Sequence, residues 1–221
     1  MIAYSILTAF DLAVNSYYIH VYKFKMEDMV RKYKLKQRAE SQEQTRQRIV
    51  KATVALHTTL GPAHTSIVAI ARQAGVERPT LYRHFPTMRD LFSACSRHLW
   101  EQSPPPDPEP WLKINDPEAR LRQGLMEVYT YYSDHELGLW KILRDLEDMP
   151  ELRPFAAPRI AHRQRVRDVL ANAWPDRGTQ QQLLIAALAH ATDFFGWRSL
   201  RRQGLTNESV IGLFVKLVQS L

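Results

Sequence analysis

The sequence predicts an all-α protein, on three observations. Glycine is scarce, with eight among the 221 residues, and alternating runs of β-branched residues are nearly absent. Apolar residues instead recur three and four positions apart, as on one side of a helix. A content of 45% apolar and 24% charged residues is typical of a folded protein. The single cysteine, Cys95, provides no disulfide framework, which fits a reducing compartment such as the cytoplasm.

The net charge of +7 is concentrated in one stretch of the chain. Residues 31–100 hold 13 Lys and Arg against four Asp and Glu, a net charge of +9, whereas residues 1–30 and 101–221 each carry −1. A nucleic acid or a membrane surface would both attract such a basic stretch. We therefore predict three parts: an N-terminal extension with a basic arm (1–40), a basic module (41–102) and a second helical domain (103–221).

The N-terminal extension begins with an apolar run, MIAYSILTAFDLAVNSYYIHVYKFK. It has no positively charged start and no small-residue cleavage site, and Asp11 and His20 interrupt it. A membrane-spanning helix would carry these polar groups into the bilayer at a high cost. We expect an extra helix packed on the body, or a true translation start at Met26 or Met29, rather than a membrane anchor in residues 1–25.

A basic run, RKYKLKQRAE, occupies residues 31–40, directly before the first predicted helix of the module. Five cations within eight residues fit either a solvated surface or an arm that lies on phosphates or in a minor groove. Lys34 and Lys36 are the candidate contacts in this arm.

The first two helices of the basic module are predicted from periodicity and end signals. The first runs from about Ser41 to Leu60 and ends at the segment LGPAHTS. Thr65 is a suitable N-cap for the second, SIVAIARQA. Gly75 follows it, and a glycine can adopt the left-handed conformation that a tight turn between helices requires.

The third helix, Arg78 to Phe85, is only about two turns long, too short to be stable in isolation. At about 100° per residue, Leu81 and Phe85 share one buried face. The exposed face carries Pro79, Thr80 and Arg83, and Tyr82 and His84 flank it. A short anchored helix whose outer face meets base edges while its flanks contact phosphates is the geometry of a recognition helix in a helix-turn-helix.

Residues 48–92 resemble the DNA-binding domain of the tetracycline-repressor (TetR) family. The similar features are Ala52, Gly61, the "IA..AGV" and "TLYRHF" motifs, and Leu91-Phe92, where the fourth helix is expected to begin. The family usually has a serine, a small residue and a lysine where this chain has Glu77, Pro79 and Met88, and Arg89 takes the role of the lysine. The predicted DNA contacts, from the resemblance, the helix geometry and the arm, are Thr65, Arg78, Pro79, Thr80, Tyr82, Arg83, His84, Arg89, Lys34 and Lys36.

The second domain begins after SPPPDPEPW (103–111), which ends the fourth helix. We predict a helix around Leu121 to Tyr132, another from Leu137 to Leu146, a third over about 158–173, a fourth within 179–204, and a last one capped by Thr206 or Asn207. The stretch 183–197 is apolar on nearly all sides, so it must bury two faces.

The resemblance implies a homodimer formed by the last two helices of each chain, and a pocket for a small ligand between the middle helices. Two recognition helices about one DNA turn apart would then read a palindromic operator. The candidate interface residues are Leu183, Ala187, Leu188, Ala191, Phe195, Phe214 and Val218. The candidate ligand-binding residues are Tyr129, Tyr131, Trp140, Phe155, His162, His190 and Phe194.

No enzyme signature is found in the sequence. It contains no H-E-x-x-H or cysteine cluster, no glycine-rich phosphate loop and no G-x-S-x-G turn, so we predict no catalytic site, metal or cofactor. The favoured hypothesis is a cytoplasmic, homodimeric transcriptional regulator, a repressor released from DNA by a small apolar or aromatic ligand. The alternatives are a membrane-tethered regulator that uses residues 1–25, and a helical adaptor or enzyme with a vestigial DNA-binding head.

Overall fold

The computed structural model describes the backbone of residues 2–176 and 178–221, and the side chains of residues 25–26, 28–146, 149–150, 152–176 and 178–221. Every regular element in these ranges is helical, so the prediction of an all-α fold is confirmed. The α-helices are α1 (Ile2–Thr59), α2 (Ile67–Ala74), α3 (Arg78–His84), α4 (Met88–Gln102), α5 (Pro117–Asp148), α6 (Arg153–Ala171), α7 (Gln181–Ala191), α8 (Phe194–Arg202) and α9 (Asn207–Ser220).

The chain divides into two compact units, Met1–Arg48 and Ile49–Leu221. The first is the initial part of α1, so the prediction that a helix begins near Ser41 is wrong. Residues 31–45 contain no glycine or proline, and the pair Lys32–Asp28 adds an i,i+4 ion pair of 2.9 Å that favours helix. The hypothesis of a membrane anchor in residues 1–25 falls almost wholly outside the described side chains. None of the helices, as far as they are described, is long and apolar enough to cross a membrane.

The second unit contains two hydrophobic cores. The first is built from residues of α1 to α4, with Ile49, Ile70, Leu81 and Leu91 almost fully buried. The second is built from the segment around Trp111 and from α5 to α9. Helix α4, whose final residue Gln102 precedes the proline-rich segment, ends where it was predicted to end. The division into domains at residue 102 agrees with the two cores and stays a prediction.

Two predicted helices, around 121–132 and 137–146, form one continuous helix, α5. Residues 133–136 contain no helix breaker, and the Ser133 hydroxyl donates to the carbonyl of Tyr129 in the turn before it. Gly138 lies within α5 and does not interrupt it. The glycine packs against Thr58, and a Cβ there would come within 3.2 Å of the threonine side chain.

The predicted helix within 179–204 is instead divided into α7 and α8. Asp193 separates them, because its carboxylate accepts a hydrogen bond of 2.9 Å from the backbone N–H of Gly196 and so caps α8. The cap predicted for the last helix is confirmed, since the Thr206 hydroxyl accepts from the N–H of Ser209.

Stability should fall in acid because His57 is buried at the end of α1, beside the ring of Phe92 at 5.5 Å. Burial lowers the pKa of His57 from 6.5 to about 4, an effect that the Asp145 carboxylate partly opposes. The unfolded state therefore binds more protons between these pH values, and the folded state loses stability as the pH falls through this window. We expect a loss on the order of 2 kcal/mol from this group by about pH 4.5.

The measurement is urea denaturation of the protein and its His57→Gln variant at about pH 7.5 and about pH 4.5. The variant should lose less stability on acidification, and His190→Gln, at an exposed histidine of α7, should behave like the unaltered protein. An equal loss in the protein and in His57→Gln would contradict the assignment.

Candidate functional site

Helix α3 is a short helix held by its apolar face. Leu81 and Phe85 are each 1% exposed and belong to the first core, so the prediction of a two-residue anchor is confirmed. The helix has seven residues, begins with Pro79 in its first turn, and has no side-chain cap from Glu77. Burial of the anchor therefore holds the helix in place, since a helix of this length has little stability of its own.

The outer face of α3 is directed to solvent, as predicted. Arg78, Pro79, Tyr82 and Arg83 are exposed, and Thr80 and His84 are half-buried. Among the residues that the structure describes, no acid forms an ion pair with Arg78, Arg83 or Arg89. The face is therefore cationic and carries donors that can contact a polyanion.

The turn before α3 has the predicted glycine geometry. Gly75 has φ of 64° and ψ of 41°, and the N–H of Val76 donates to the carbonyl of Ala71 at 3.0 Å, which closes the end of α2. The N-cap of α2 is Ser66, and the prediction of Thr65 is wrong by one residue. The Thr65 hydroxyl instead donates to the carbonyl of Gly61 at 2.8 Å and so closes the loop before α2.

Helix α4 begins three residues earlier than predicted. The hydroxyl of Thr87 accepts from the N–H of Asp90, and the Asp90 carboxylate accepts from the N–H of Thr87, which forms a capping box. Met88 and Arg89 therefore lie in the first turn, where both are exposed. Lys34 and Lys36 are also exposed, on α1, and belong to the other compact unit. All the DNA contacts assigned to these residues remain predictions.

The loop Gly61–Thr65 is joined to α5 through Asp145. The N–H of Ala63 donates to Asp145 Oδ2 at 2.9 Å, and Arg144 Nε donates to Asp145 Oδ1 at 2.6 Å. Asp145 is only 2% exposed. Burial alone would raise the pKa of Asp145, but the hydrogen bonds from Arg144 and Ala63 outweigh it and leave the pKa below its usual value. The carboxylate is therefore ionised at neutral pH and holds the loop.

A second connection joins α4 to α6. The Ser96 hydroxyl donates to the carbonyl of Phe155 at 3.3 Å, and the ring of Phe92 lies 6.0 Å from that of Phe155. One turn further along α4, the ring of Trp100 meets the edge of His162 at 5.7 Å. The helix that follows α3 in the chain is thus in contact with α6 along two of its turns.

A cavity of about 630 Å³ lies among α4, α5, α6 and the segment after α4. Its wall is mainly apolar, and its polar groups come chiefly from α6. The residues that line it are Trp100, Pro105, Pro106, Val128, Tyr131, Tyr132, Leu139, Leu143, Leu146, Arg153, Ala156, Arg159, Ile160, His162, Arg163, Val166, Thr192 and Phe194. Its volume is typical of a site for a small organic ligand.

Three of the seven candidate ligand-binding residues line this cavity: Tyr131, His162 and Phe194. The other four do not. Tyr129 is fully buried in the core, where its hydroxyl donates to the carbonyl of Ala191, and Phe155 packs on Phe92. Trp140 stacks with the guanidinium groups of Arg144 and Arg198, at 4.9 and 4.8 Å. His190 is exposed, with its ring 6.0 Å from that of Phe214.

Trp100 and Arg159 in this wall, and Asp145 in the contact with the loop, were not predicted from the sequence. The only signal for Arg159 was its four-residue spacing from Arg163, which a solvated helix would show equally well. Asp145 gave no signal, because its partner Ala63 is 82 residues away in the chain.

The seven candidate interface residues divide into two groups. Leu183 and Phe195 are 54% and 42% exposed, and Ala187 is half-buried. The prediction is corrected for the other four, which fill the protomer's own second core: Leu188, Ala191, Phe214 and Val218. The outer side of α9 carries Leu213 and Leu217 instead, 47% and 42% exposed.

Residues 49–95, which span the first core with α2 and α3, match the sequence model of the bacterial regulatory proteins of the tetR family. The chain is thus similar to the TetR family over its DNA-binding region. It is similar to the HTH-type transcriptional regulator AcrR of Shigella flexneri, with 37% identity over 98 residues. That match covers 42% of this chain and 43% of the relative, so the similarity spans less than half the length of either protein.

Solved structures show the same fold over most of the chain. A TetR-like transcriptional regulator from Rhodococcus sp. RHA1 is similar with a TM-score of 0.54 and 17% identity, over 79% of this chain and 93% of that one. NalD, the secondary repressor of the MexAB-OprM multidrug efflux pump in Pseudomonas aeruginosa, is similar with a TM-score of 0.53 and 21% identity, over 82% and 96%. The resemblance to the TetR family is therefore confirmed, together with the helix-turn-helix and the C-terminal helical domain.

The contact between Asp145 and the loop should depend on a glycine at position 61. Gly61 has φ of 98° and ψ of 153°, and a Cβ there would overlap the Asp145 carboxylate and lie 2.8 Å from Arg144 Nη2. We expect Gly61→Ala to lower the free energy of unfolding by about 2–4 kcal/mol, through backbone strain and loss of the carboxylate contact. The measurement is urea denaturation monitored by circular dichroism.

Gly204→Ala is the matched control. Gly204 has φ of 85°, and a Cβ there would meet nothing within 4 Å, so only backbone strain of about 1 kcal/mol is expected. Equal losses of stability in the two variants would show that Asp145 adds no constraint at position 61.

Proposed function

We propose that the protein is a transcriptional repressor that binds DNA through α3 and is released when a small ligand fills the cavity beside α6. The observation that carries the proposal is the cationic outer face of α3, anchored by Leu81 and Phe85 and followed by a helix, α4, that ends at the cavity. Such a regulator acts in the cytoplasm and needs no catalytic group.

The side chains of α3 have distinct roles in this proposal. Thr80 and Arg83, with Arg78 and Pro79 beside them, face base edges in the major groove. Tyr82 and His84 donate to phosphates on either side of the helix, and Thr65 and Arg89 contact phosphates from the starts of α2 and α4. Lys34 and Lys36 add phosphate contacts from the basic arm.

The ligand acts through two connections between the cavity and the DNA-binding helices. Trp100, near the end of α4, lines the cavity. Leu143 and Leu146 also line it, and they flank Asp145, which holds the loop before α2. A ligand that moves either wall shifts α4 or α5 and hence the position of α3. The affinity of the protein for DNA then falls, because the ligand favours an arrangement of α4 and α5 that moves α3 from its DNA-binding position.

The protein acts as a homodimer on a palindromic operator. Leu213 and Leu217 lie four residues apart on the exposed side of α9, which packs against α7 and α8, where Leu183 and Phe195 are also exposed. Exposed apolar side chains on adjacent helices favour a protein–protein contact. A twofold interface would place two copies of α3 on successive turns of one DNA face.

The names of relatives support the same function. AcrR is an HTH-type transcriptional regulator, and NalD is a repressor of a multidrug efflux pump. By analogy, the gene repressed here encodes a protein that removes or metabolises the ligand. The similarity to these proteins lies in the fold and the DNA-binding region, so the function of this protein must be judged from the geometry of α3 and the cavity.

Arg83→Gln should lower the affinity for the operator by at least about tenfold, because it removes a charged donor from the groove-facing side of α3. The operator is obtained by selection from random DNA, and the affinity is measured by gel shift at several salt concentrations. Arg165→Gln is the matched control, since Arg165 is an exposed arginine of α6 that pairs with Glu109 at 2.7 Å. Equal affinities for Arg83→Gln and the unaltered protein would overturn the assignment of α3 as the recognition helix.

Leu217→Glu should convert the dimer to a monomer, because it places a charge in an apolar interface. The measurement is sedimentation equilibrium, with circular dichroism to show that the monomer is folded. Leu137→Glu is the control, since Leu137 is 69% exposed on α5 and lies outside α7 to α9. A dimer that persists in Leu217→Glu would mean that the protein associates through another surface.

A further inference from the structure

The cavity beside α6 carries positive charge on its wall. Arg159 lines it and is half-buried, and its hydrogen bond within the described structure joins Nη1 to the neutral hydroxyl of Tyr131 at 3.4 Å. That bond is long and its acceptor is uncharged, so it compensates little of the guanidinium charge. The charge at this point is therefore available to a ligand.

The neighbouring charges leave a net positive wall. Arg163 is paired, because its Nη1 donates to Asp193 Oδ1 at 2.6 Å. Arg153 also lines the cavity, and the structure shows it no acidic partner among the described side chains. No described carboxylate lines the cavity itself. Among the side chains that the structure describes, a cationic ligand would thus meet like charge and no lining acid.

The rest of the cavity is suited to an apolar body. Aromatic rings of Trp100, Tyr132 and Phe194 form part of the wall, and the ring of Phe194 meets that of Tyr132 edge to face at 5.4 Å. The Tyr132 hydroxyl is already satisfied, since it donates to the carbonyl of Thr192 at 2.7 Å. Tyr132 therefore contributes chiefly apolar surface to the wall, and Leu139 and Leu143 extend the apolar wall along α5.

We propose that the ligand of this cavity is an amphipathic organic acid, with its carboxylate on Arg159 and its aromatic or aliphatic body against Tyr132 and Phe194. The assignment rests on the proposed function, because it takes this cavity as the effector site. A planar guanidinium matches a carboxylate with two parallel hydrogen bonds, and the half-buried position strengthens that contact relative to one in open solvent. The charge of the ligand is the property that this wall selects.

The test is isothermal titration calorimetry of the full chain without DNA, with acids and amines that share the same body. The pairs are 2-naphthoate with 2-naphthylmethylamine, and decanoate with decylamine, so that an aromatic and an aliphatic body are both tried. At least one acid should bind at least about tenfold more tightly than its amine, because only the acid gains a charge-assisted contact. Failure of both acids to bind, or binding of an amine as tightly as its acid, would overturn the proposal.

Variants locate the contact. Arg159→Gln should lower the affinity of the bound acid by about tenfold or more without weakening the binding of its amine, because the repulsion of a cation is relieved, and Arg159→Lys should retain part of the preference. Arg165→Gln removes the same charge from the same helix outside the cavity and should bind the acid normally. An equal loss in Arg159→Gln and Arg165→Gln would mean that the general charge of α6, and not this site, attracts the acid.

This result is separable from DNA binding. A protein that binds an operator but neither acid would retain the proposed repressor function and refute the ligand class. A protein that binds the acid through Arg159 but binds no DNA would support the ligand class and refute the proposed repressor function. Release of the operator by the acid, measured by gel shift with the unaltered protein, would then show that ligand binding controls DNA binding.

Discussion

The buried carboxylate of Asp145 connects the DNA-binding helices to the rest of the second unit. It accepts from the backbone of Ala63 and from Arg144, so it fixes the loop before α2 against α5. Its burial is tolerated only because both oxygens have donors, and loss of either would leave a charge in an apolar setting. Position 61 requires a glycine for this reason as well as for its backbone conformation, since any side chain there would take the place of the carboxylate.

Two helices, α4 and α5, extend from the DNA-binding helices to the cavity. Helix α5 runs without a break from Pro117 to Asp148, so in the proposed function a displacement at the cavity would be carried along it rather than absorbed by a hinge. Helix α4 is held at its start by the capping box of Thr87 and Asp90 and reaches Trp100 in the cavity wall. Packed helices change between discrete arrangements, which is what a ligand-controlled DNA-binding protein requires.

The parts of the structure that could be predicted from the sequence are those determined by short-range patterns. The anchor Leu81 and Phe85 and the turn at Gly75 follow from periodicity and from backbone preference over a few residues. The joining of two predicted helices into α5 and the placing of Asp193 between α7 and α8 depend on which groups find partners in the folded state. Burial of Phe214 and Val218 within the protomer could not be foreseen either, because an apolar helix face does not say which surface covers it.

Different residues of α5 line the cavity and hold the loop before α2. Leu139 and Leu143 line the cavity, whereas Arg144 and Asp145 hold the loop and Trp140 stacks with the guanidinium groups of Arg144 and Arg198. A substitution at Leu139 would therefore change the cavity wall and leave the hydrogen bonds of Asp145 in place. If the proposed function holds, a duplicated gene could acquire a new ligand through substitutions at such wall positions and keep the contact that holds the loop before α2.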